Sequence, residues 1–403
     1  MSQSTPTKFL HGKMDEPLGD VLLAAARVPA GGAASIAGGR MALTVVCRQT
    51  AISLIEEAYA GAVRTQFQSG PWLEAVADAF AGDAQPFFLA GYEGEACRFL
   101  MPLAVSRRHG LRRLEWLGQA VADYNVPLCD PDFFRGLSSD EVHALWREAA
   151  RLAGGADIVL ARKQPVTVSG VANPFAAVSG GLESDRAHQR HLLRPWTEIE
   201  AELATAKSRR RLREKFRAME KLGDCAIRQA SGAAEIRHCA EVLMDWKYGQ
   251  LAGTGATNPF ADDAYRAFFL SICERGVAEL HGVFLEGEPV ALTCLLVDTD
   301  RTTLYQTGFA TSYGRYSAGR ILNTALMKHA AERGARFFDF GYGDEDYKSA
   351  ICDDSVDLTF SVLPLTPRGA LAALPLRAAL VARRIVKRND RLRRAALFLN
   401  RLY

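Results

Sequence analysis

The sequence predicts an α+β fold: two tandem domains, each with a mixed central sheet flanked by helices, followed by a basic C-terminal helix. Three observations predict it. The chain has 403 residues, more than one ordinary core accommodates. A hairpin signature occurs twice, in "PFFLAGYEGEACRFLMPLAV" and in "VAELHGVFLEGEPVALTCLLVD". Glu93-Gly94-Glu95 matches Glu286-Gly287-Glu288, and the apolar runs on both sides align without gaps. Two helical stretches precede each hairpin, so the whole element order repeats.

Residues 1–40 contain "VPAGGAASIAGG", which is small and Gly-rich and is expected to be a flexible leader. The first domain is expected over 41–180. "MALTVVC" reads as a strand, and "AISLIEEAYAGAV" and "GPWLEAVADAF" have the apolar spacing of amphipathic helices. After the hairpin come strands "LRRLEWLG" and "ADIVLA" around the helix "DEVHALWREAARLA". A boundary is expected in the turn-forming "NPFAAVSGGLESD".

The second domain is expected over 181–365. Its helices "AEIRHCAEVLMDWKYGQLAG" and "DDAYRAFFLSICERG" precede the hairpin. Then follow a strand "TTLYQTGFA", a loop "TSYGRYSAG", a helix "RILNTALMKHAAERG" and a strand "RFFDFGYG". Ser317 is the expected N-cap of that helix and Gly334 its stop. Strand, turn, helix, strand is a crossover and implies local parallel pairing. Residues 366–403 form a basic amphipathic tail. From Leu376 to Tyr403 it carries nine Arg and Lys against Asp390, with Leu380, Val381, Ile385, Leu392, Leu397 and Leu399 as apolar surface. Such a helix suits an anionic membrane surface, an acidic partner, or docking on its own protein.

Composition narrows the function classes. Hydrophobic content of 48% and charged content of 24% are those of a soluble globular protein. A net charge of +3 creates no protein-wide field for polyanions, so basic residues matter where they cluster. The eight Cys are scattered without C-x-x-C spacing, which signals neither zinc nor a disulfide framework and suits free thiols in a reducing cytoplasm. No apolar run reaches about 18 residues, and no signal-peptide pattern opens the chain, so a cytoplasmic protein is expected, peripheral to the membrane at most.

Three stretches carry candidate chemistry. In "GRYSAGR", a helix start offers unpaired N–H groups and a partial positive charge that suit phosphate. Gly319 admits a ligand to the backbone, Ser317 can hydrogen-bond, and Arg315 and Arg320 add charge. "DFGYGDEDYK" gathers Asp339, Asp344, Glu345, Asp346, Tyr347 and Lys348 at a strand's carboxyl end, where open α/β sheets place ligands. A carboxylate or tyrosine there could carry a proton, and Lys348 could balance a phosphate or oxyanion. "AKSRRRLREKFRAMEKLG" packs seven Lys and Arg between Lys207 and Arg217. Leu212, Phe216 and Met219 fall on one helical stripe and Arg210, Arg213, Arg217 and Lys221 on another, with only Glu214 and Glu220 as local partners. This under-neutralised face reads as solvated, as a seat for an anionic substrate or cofactor phosphate, or as an RNA contact. Trp246 could line a pocket. "HQRH", His188 to His191, could put two imidazoles on one helical turn, but without a third ligand at useful spacing no metal is expected. Neither G-x-S-x-G, H-E-x-x-H, P-loop nor dinucleotide fingerprint occurs.

Together, "SRRRLREKFRAMEKLG", "YSAGRIL" and "DFGYGDEDYK" resemble the FemAB-like branch of the GNAT acyltransferase superfamily, and within it the CelD type named for cellulose biosynthesis. "FQSGPWLEAV" resembles the start of that group's first domain. The resemblance implies two GNAT-like domains and transfer of an acyl group to an amine or hydroxyl of a saccharide, lipid-linked or other envelope-related acceptor. It implies acyl-CoA as donor, its pyrophosphate on the turn of Arg315, Tyr316, Ser317, Ala318, Gly319 and Arg320. Ala318 and Arg320 depart from the small residues usual there. It points to Tyr347 and Lys348 as the functional pair, with Asp339 organising the strand end. Arg210, Arg213, Arg217 and Trp246 are the expected substrate- or anion-binding residues. Two alternatives remain open: a non-catalytic GNAT-fold partner in polysaccharide synthesis, and a FemAB-type transferase that uses aminoacyl-tRNA.

Overall fold

The computed structural model describes residues 34–36, 41–58, 61–178, 180–252 and 258–388. The first half runs β1 (Ala34–Ile36), β2 (Met41–Val46), α1 (Arg48–Ala58), α2 (Gly70–Ala79), β3 (Ala84–Glu93), β4 (Ala96–Arg108), β5 (Leu111–Trp116), β6 (Leu128–Cys129), α3 (Pro131–Gly136), α4 (Ser139–Leu152), β7 (Ile158–Pro165), the short hairpin β8 (Thr167–Val168) and β9 (Val171–Ala172), α5 (Pro174–Ala177) and β10 (Gly181–Leu182). The second runs β11 (Ala187–His191), α6 (Trp196–Leu203), α7 (Ala206–Glu220), β12 (Cys225–Gln229), α8 (Ala233–Leu251), α9 (Asp263–Glu274), β13 (Glu279–Leu285), β14 (Glu288–Val297), β15 (Arg301–Phe309), α10 (Ala318–Glu332), β16 (Phe337–Tyr342), α11 (Asp346–Ser349), β17 (Asp354–Val356), β18 (Leu358–Pro364) and α12 (Pro367–Arg388).

Two mixed sheets result. The first has the order β1-β2-β3-β4-β5-β7-β18-β10, with β6 on β4; the second has β12-β13-β14-β15-β16-β11-β17. In each, one pair is parallel, β5 with β7 and β15 with β16, and a helix lies between its strands in the chain. The expected repeat is therefore present, β2-α1-α2-β3-β4-β5-α4-β7 against β12-α8-α9-β13-β14-β15-α10-β16.

The repeated "EGE" closes both hairpins, but differently. In the first, Gly94-Glu95 join Glu93 to Ala96, and Gly94 takes φ 63°. In the second, Glu286-Gly287 join Leu285 to Glu288, with φ 53° and 82°. One left-handed residue at the first loop position is the pattern of a type II′ turn, two the pattern of type I′. One tripeptide thus serves two registers a residue apart.

The boundary expected at Gly181 needs correction, because a strand from the end of the second half crosses into the first sheet. Leu358–Pro364 lies in the first sheet, between β7 and β10, while β11 joins the second beside β16. The strand beyond the first sheet's parallel pair thus comes from the other half, while the one beyond the second's comes from the start of its own half. The leader expectation also changes in part, since Ala34–Ile36 pairs antiparallel with β2; the rest of 1–40 lies outside the described residues.

The cores follow the layers. The first sheet's face under α4 buries Trp116, Trp146, Phe134 and Phe175. Its other face shares one core with the second sheet through α1, α2, α8 and α9. At the centre Trp72 meets Phe67, Phe268 and Tyr305 edge-on at 4.9, 5.1 and 5.4 Å, joining the halves with buried aromatic surface. The far face of the second sheet packs Leu322, Leu326 and Met327 of α10 against Ile199 and Met219. Helix α12 covers Ile158, Leu160, Phe360 and Val362 with Ala373, Leu376 and Leu380. That part of the tail docks on its own protein; residues 389–403 lie outside the described residues.

Candidate functional site

A cavity of about 1180 Å³ opens beyond the carboxyl end of β15, where α6, α7, the end of α8, the start of α10 and the loop around α11 converge. Its wall includes Arg209, Arg213 and Arg217 of α7, Gly314 and Ser317 to Arg320 of the turn, and Glu345 and Tyr347. The three stretches singled out in the sequence therefore meet around one space.

Helix α7 starts at Thr205, whose hydroxyl accepts from the Ser208 N–H at 3.2 Å. Met219 packs into the core, and Leu212 and Phe216 lie along the cavity. Arg209, Arg213 and Arg217 repeat every four residues and so share a face. Arg209 is anchored, donating to the Ala204 carbonyl at 2.7 Å. Arg213 and Arg217 show no carboxylate partner among the described residues. Arg210 departs from expectation: it points to solvent and pairs with Glu214 at 2.8 Å. Arg209 takes its place on the wall, because the true stripe runs through 209 rather than 210. Trp246 also departs, packing against the shared core beneath Gly308 instead of lining the cavity.

The turn before α10 differs from an ordinary cap. Ser317 stands at the N-cap but with φ 59° and ψ 38°, and its hydroxyl caps no amide. It accepts instead from Lys215 Nζ at 2.7 Å, which ties α7 to the turn. The first turn of α10 has no acidic residue, and its opening amides have neither a helical acceptor nor a side-chain cap. That end carries positive partial charge, and Arg320 adds to it. Arg315 and Tyr316 do not line the cavity; Arg315 donates to the Tyr316 hydroxyl at 2.9 Å and stacks over its ring.

The "DYK" segment divides. Tyr347 is 42% exposed and lines the cavity, and burial of its ring raises the phenol above its ordinary pKa. Lys348 is 3% exposed, donates to the Gly341 and Tyr342 carbonyls at 3.2 Å and pairs with Glu345 at 2.8 Å. Consecutive helical residues point about 100° apart, so when Tyr347 faces the cavity Lys348 turns under the strand end. Asp339 is fully buried on the other side, between the halves. It accepts from Arg301 at 2.6 Å, from the Tyr124 hydroxyl at 2.8 Å and from the Gly341 N–H at 2.7 Å. Its residue pattern resembled a strand-end acid; only the fold shows that one of its partners, Tyr124, comes from the opposite half.

Three features escaped sequence reasoning. Lys247 at the end of α8 lines the cavity, and burial lowers its pKa. Thr307 and Asn323, also lining, belong to a hydrogen-bonded group in which Thr293 donates to Asn323 at 2.8 Å. Asp123 of the first half reaches the point where β15 and β16 part. Those strands pair only as far as Thr303 and Asp339, although β15 continues against β14 to Phe309. A Cβ on Gly341, at φ 68°, would collide with the Asp123 carboxylate, whose pKa burial raises. No local signal marks these residues, because each comes from a distant stretch. "HQRH" is strand β11 and not a helical turn: His188 pairs with Asp344 at 2.6 Å and His191 with Asp353 at 3.0 Å.

Residues 206–349 match the acetyltransferase (GNAT) domain family. The matched stretch runs from α7 through α11, elements that frame the cavity. A FemX crystal structure is similar in fold, with a TM-score of 0.53 at 13% identity over 78% of this chain and 96% of that one. A conserved protein of unknown function from Bacteroides thetaiotaomicron gives 0.49 at 12% identity, covering 78% and 96%. A tandem GNAT protein from the clavulanic acid biosynthesis pathway gives 0.45 at 13%, covering 81% and 99%. No curated protein matches by sequence.

Proposed function

We propose that the chain is an acyltransferase that moves an acyl group from acyl-CoA to an amine or hydroxyl of a saccharide or other envelope-related acceptor. The observation that carries this reading is the uncapped, acid-free first turn of α10, which lines the same cavity as Arg213 and Arg217. Backbone amides and guanidinium groups arranged this way receive the phosphates of a donor. Backbone N–H groups where β15 and β16 part would hold the oxyanion as the acceptor attacks the thioester carbonyl. The new C–N or C–O bond forms as the C–S bond breaks, and the acceptor's proton passes to solvent or a carboxylate. Tyr347, kept protonated by burial, donates to the departing thiolate. Lys348 acts as a positioning residue, holding the strand end through the Gly341 and Tyr342 carbonyls.

Calorimetric titration with acetyl-CoA and longer acyl-CoAs tests this. Binding in the micromolar range is expected. It should vanish in Gly319→Trp, whose side chain would enter the cavity beside Phe309 with the fold unchanged by circular dichroism. Silence for every donor would refute the reading. A second reading, a non-catalytic GNAT-fold partner in polysaccharide synthesis, draws on Asp339 and Lys348 both being engaged in buried structural contacts. It predicts binding without transfer to any sugar acceptor.

A further inference from the structure

Helix α12 is apolar on two faces. The inner face, Ala373, Leu376 and Leu380, is covered by the first sheet. The outer face carries Leu371, Leu374, Ala378, Val381 and Ile385, spaced by three and four residues as one stripe along the helix. Leu371 is 80% exposed and Leu374 74%; Val381 and Ile385 are exposed as well. Elsewhere in the described residues the large exposed apolar side chains are scattered or line the cavity, as Ile227, Phe309 and Tyr347 do. A stripe of this size is unusual on a surface that only meets water.

Its surroundings specify what covers it. The helix holds Arg368, Arg377, Arg383, Arg384, Lys387 and Arg388 and no acidic residue. Arg384 follows the apolar stripe residue Val381 by three positions, which sets a cation beside the apolar stripe. Arg377 is turned inward to the Val362 carbonyl at 2.6 Å, and Lys387 pairs with Asp185 at 2.6 Å, so the inner border is fastened to the protein. Arg383 and Arg384 have no ion-pair partner among the described residues. A second copy of the chain would bring the same cations to the same face and repel them. An anionic lipid surface satisfies both features, taking the leucines below its headgroups and the guanidinium groups at them.

We propose that the outer face of α12 seats the protein in the plane of an anionic phospholipid surface, with the first sheet fastened behind it. The helix lies on the bilayer and does not cross it; no helix among the described residues is long and apolar enough to do so. The proposal stands independently of what the cavity binds.

The test is flotation of the full chain with vesicles of phosphatidylcholine alone and of phosphatidylcholine containing about one third phosphatidylglycerol. Binding to the anionic vesicles is expected, with little to the neutral ones and a decline as salt rises. Leu371→Ser/Leu374→Ser/Ile385→Ser should weaken binding by about tenfold or more, and Arg383→Glu/Arg384→Glu by a comparable factor, with melting temperatures near wild type. Binding unchanged in the serine variant, or no flotation with anionic vesicles, would overturn the proposal. So would concentration-dependent self-association without lipid, in sedimentation velocity, that the serine variant abolishes, because the stripe would then be a contact between copies.

Discussion

Helices α4 and α10 hold the same place in the two halves, between the strands of the one parallel pair in each sheet, yet their first turns have opposite character. Ser138 caps α4 with its hydroxyl on the Glu141 N–H, and the Glu141 carboxylate returns to the Ser138 N–H at 2.9 Å. Asp140 and Glu141 leave that turn acidic and satisfied. Ser317 leaves the turn of α10 uncapped, without acid, beside Arg320. The strand ends differ as well. Beyond β5 the chain folds back to bury Leu117, Val121, Tyr124, Val126 and Leu128, and part of it reaches the other half, where Val121 accepts from Tyr305 and Tyr124 donates to Asp339. Beyond β15 a short turn, residues 310–317, leaves the cavity open. One copy of the plan fills its strand end and serves as a wall; the other keeps it vacant and positive. A repeated fold thus gives no repeated site, since the helix cap and the loop length decide what a strand end can hold.

The largest expected effect concerns the coupling of the halves. Arg64 of the first half holds Asp298 of the second in a mostly buried ion pair, one N–O distance being 3.2 Å. Asp298→Ala should cost roughly 2 kcal/mol in urea unfolding by removing the carboxylate from this buried pair. Burial raises the Asp298 carboxyl, but Arg64 and the Thr299 N–H prevail and hold it below its ordinary value. Its folded pKa is depressed, so its contribution is complete above the ordinary value near 3.8 and fades as pH falls through the folded one. The wild-type advantage over Asp298→Ala should therefore shrink in strong acid. A cost under about 1 kcal/mol would mean that this ion pair adds little to the coupling of the halves.

Next in size, Arg320→Glu gives α10 the Ser-x-x-Glu spacing of α4. Donor affinity should fall about tenfold in calorimetry, through the loss of one cation and the gain of an anion at the helix start. Unchanged affinity would place the phosphates elsewhere. The smallest effect is on the caps themselves. Ser138→Ala should lower stability by about 1 kcal/mol without touching ligand binding. Ser317→Ala should cost less, since its hydroxyl caps nothing and loses only the Lys215 contact. Equal costs by thermal melting would erase the contrast between the two turns.

Much of the fold was legible because it rests on local spacing. The duplicated hairpin, the helices before it and the parallel crossover each follow from apolar period and turn residues. Within the site, the basic helix, the "YSAG" turn and Tyr347 were legible for the same reason. The misplacements were differences of one residue or of distant contact. Arg210 and Arg209 differ by one step on a helix, as Lys348 and Tyr347 do, and each step turns a side chain from wall to solvent or from cavity to core. The crossing of β18 into the first sheet gave no signal, because a strand's partner is chosen across the whole chain.

By itself the sequence determined the α+β class, the repeat, the anion-suited helix start and the basic amphipathic end, because backbone propensity, apolar period and charge all act between residues near one another. The tertiary structure decided which strand end stays open, where Asp339 and Lys348 spend their hydrogen bonds, and which face of α12 is left bare. Those outcomes depend on burial against remote segments, and burial is a property of the assembled layers.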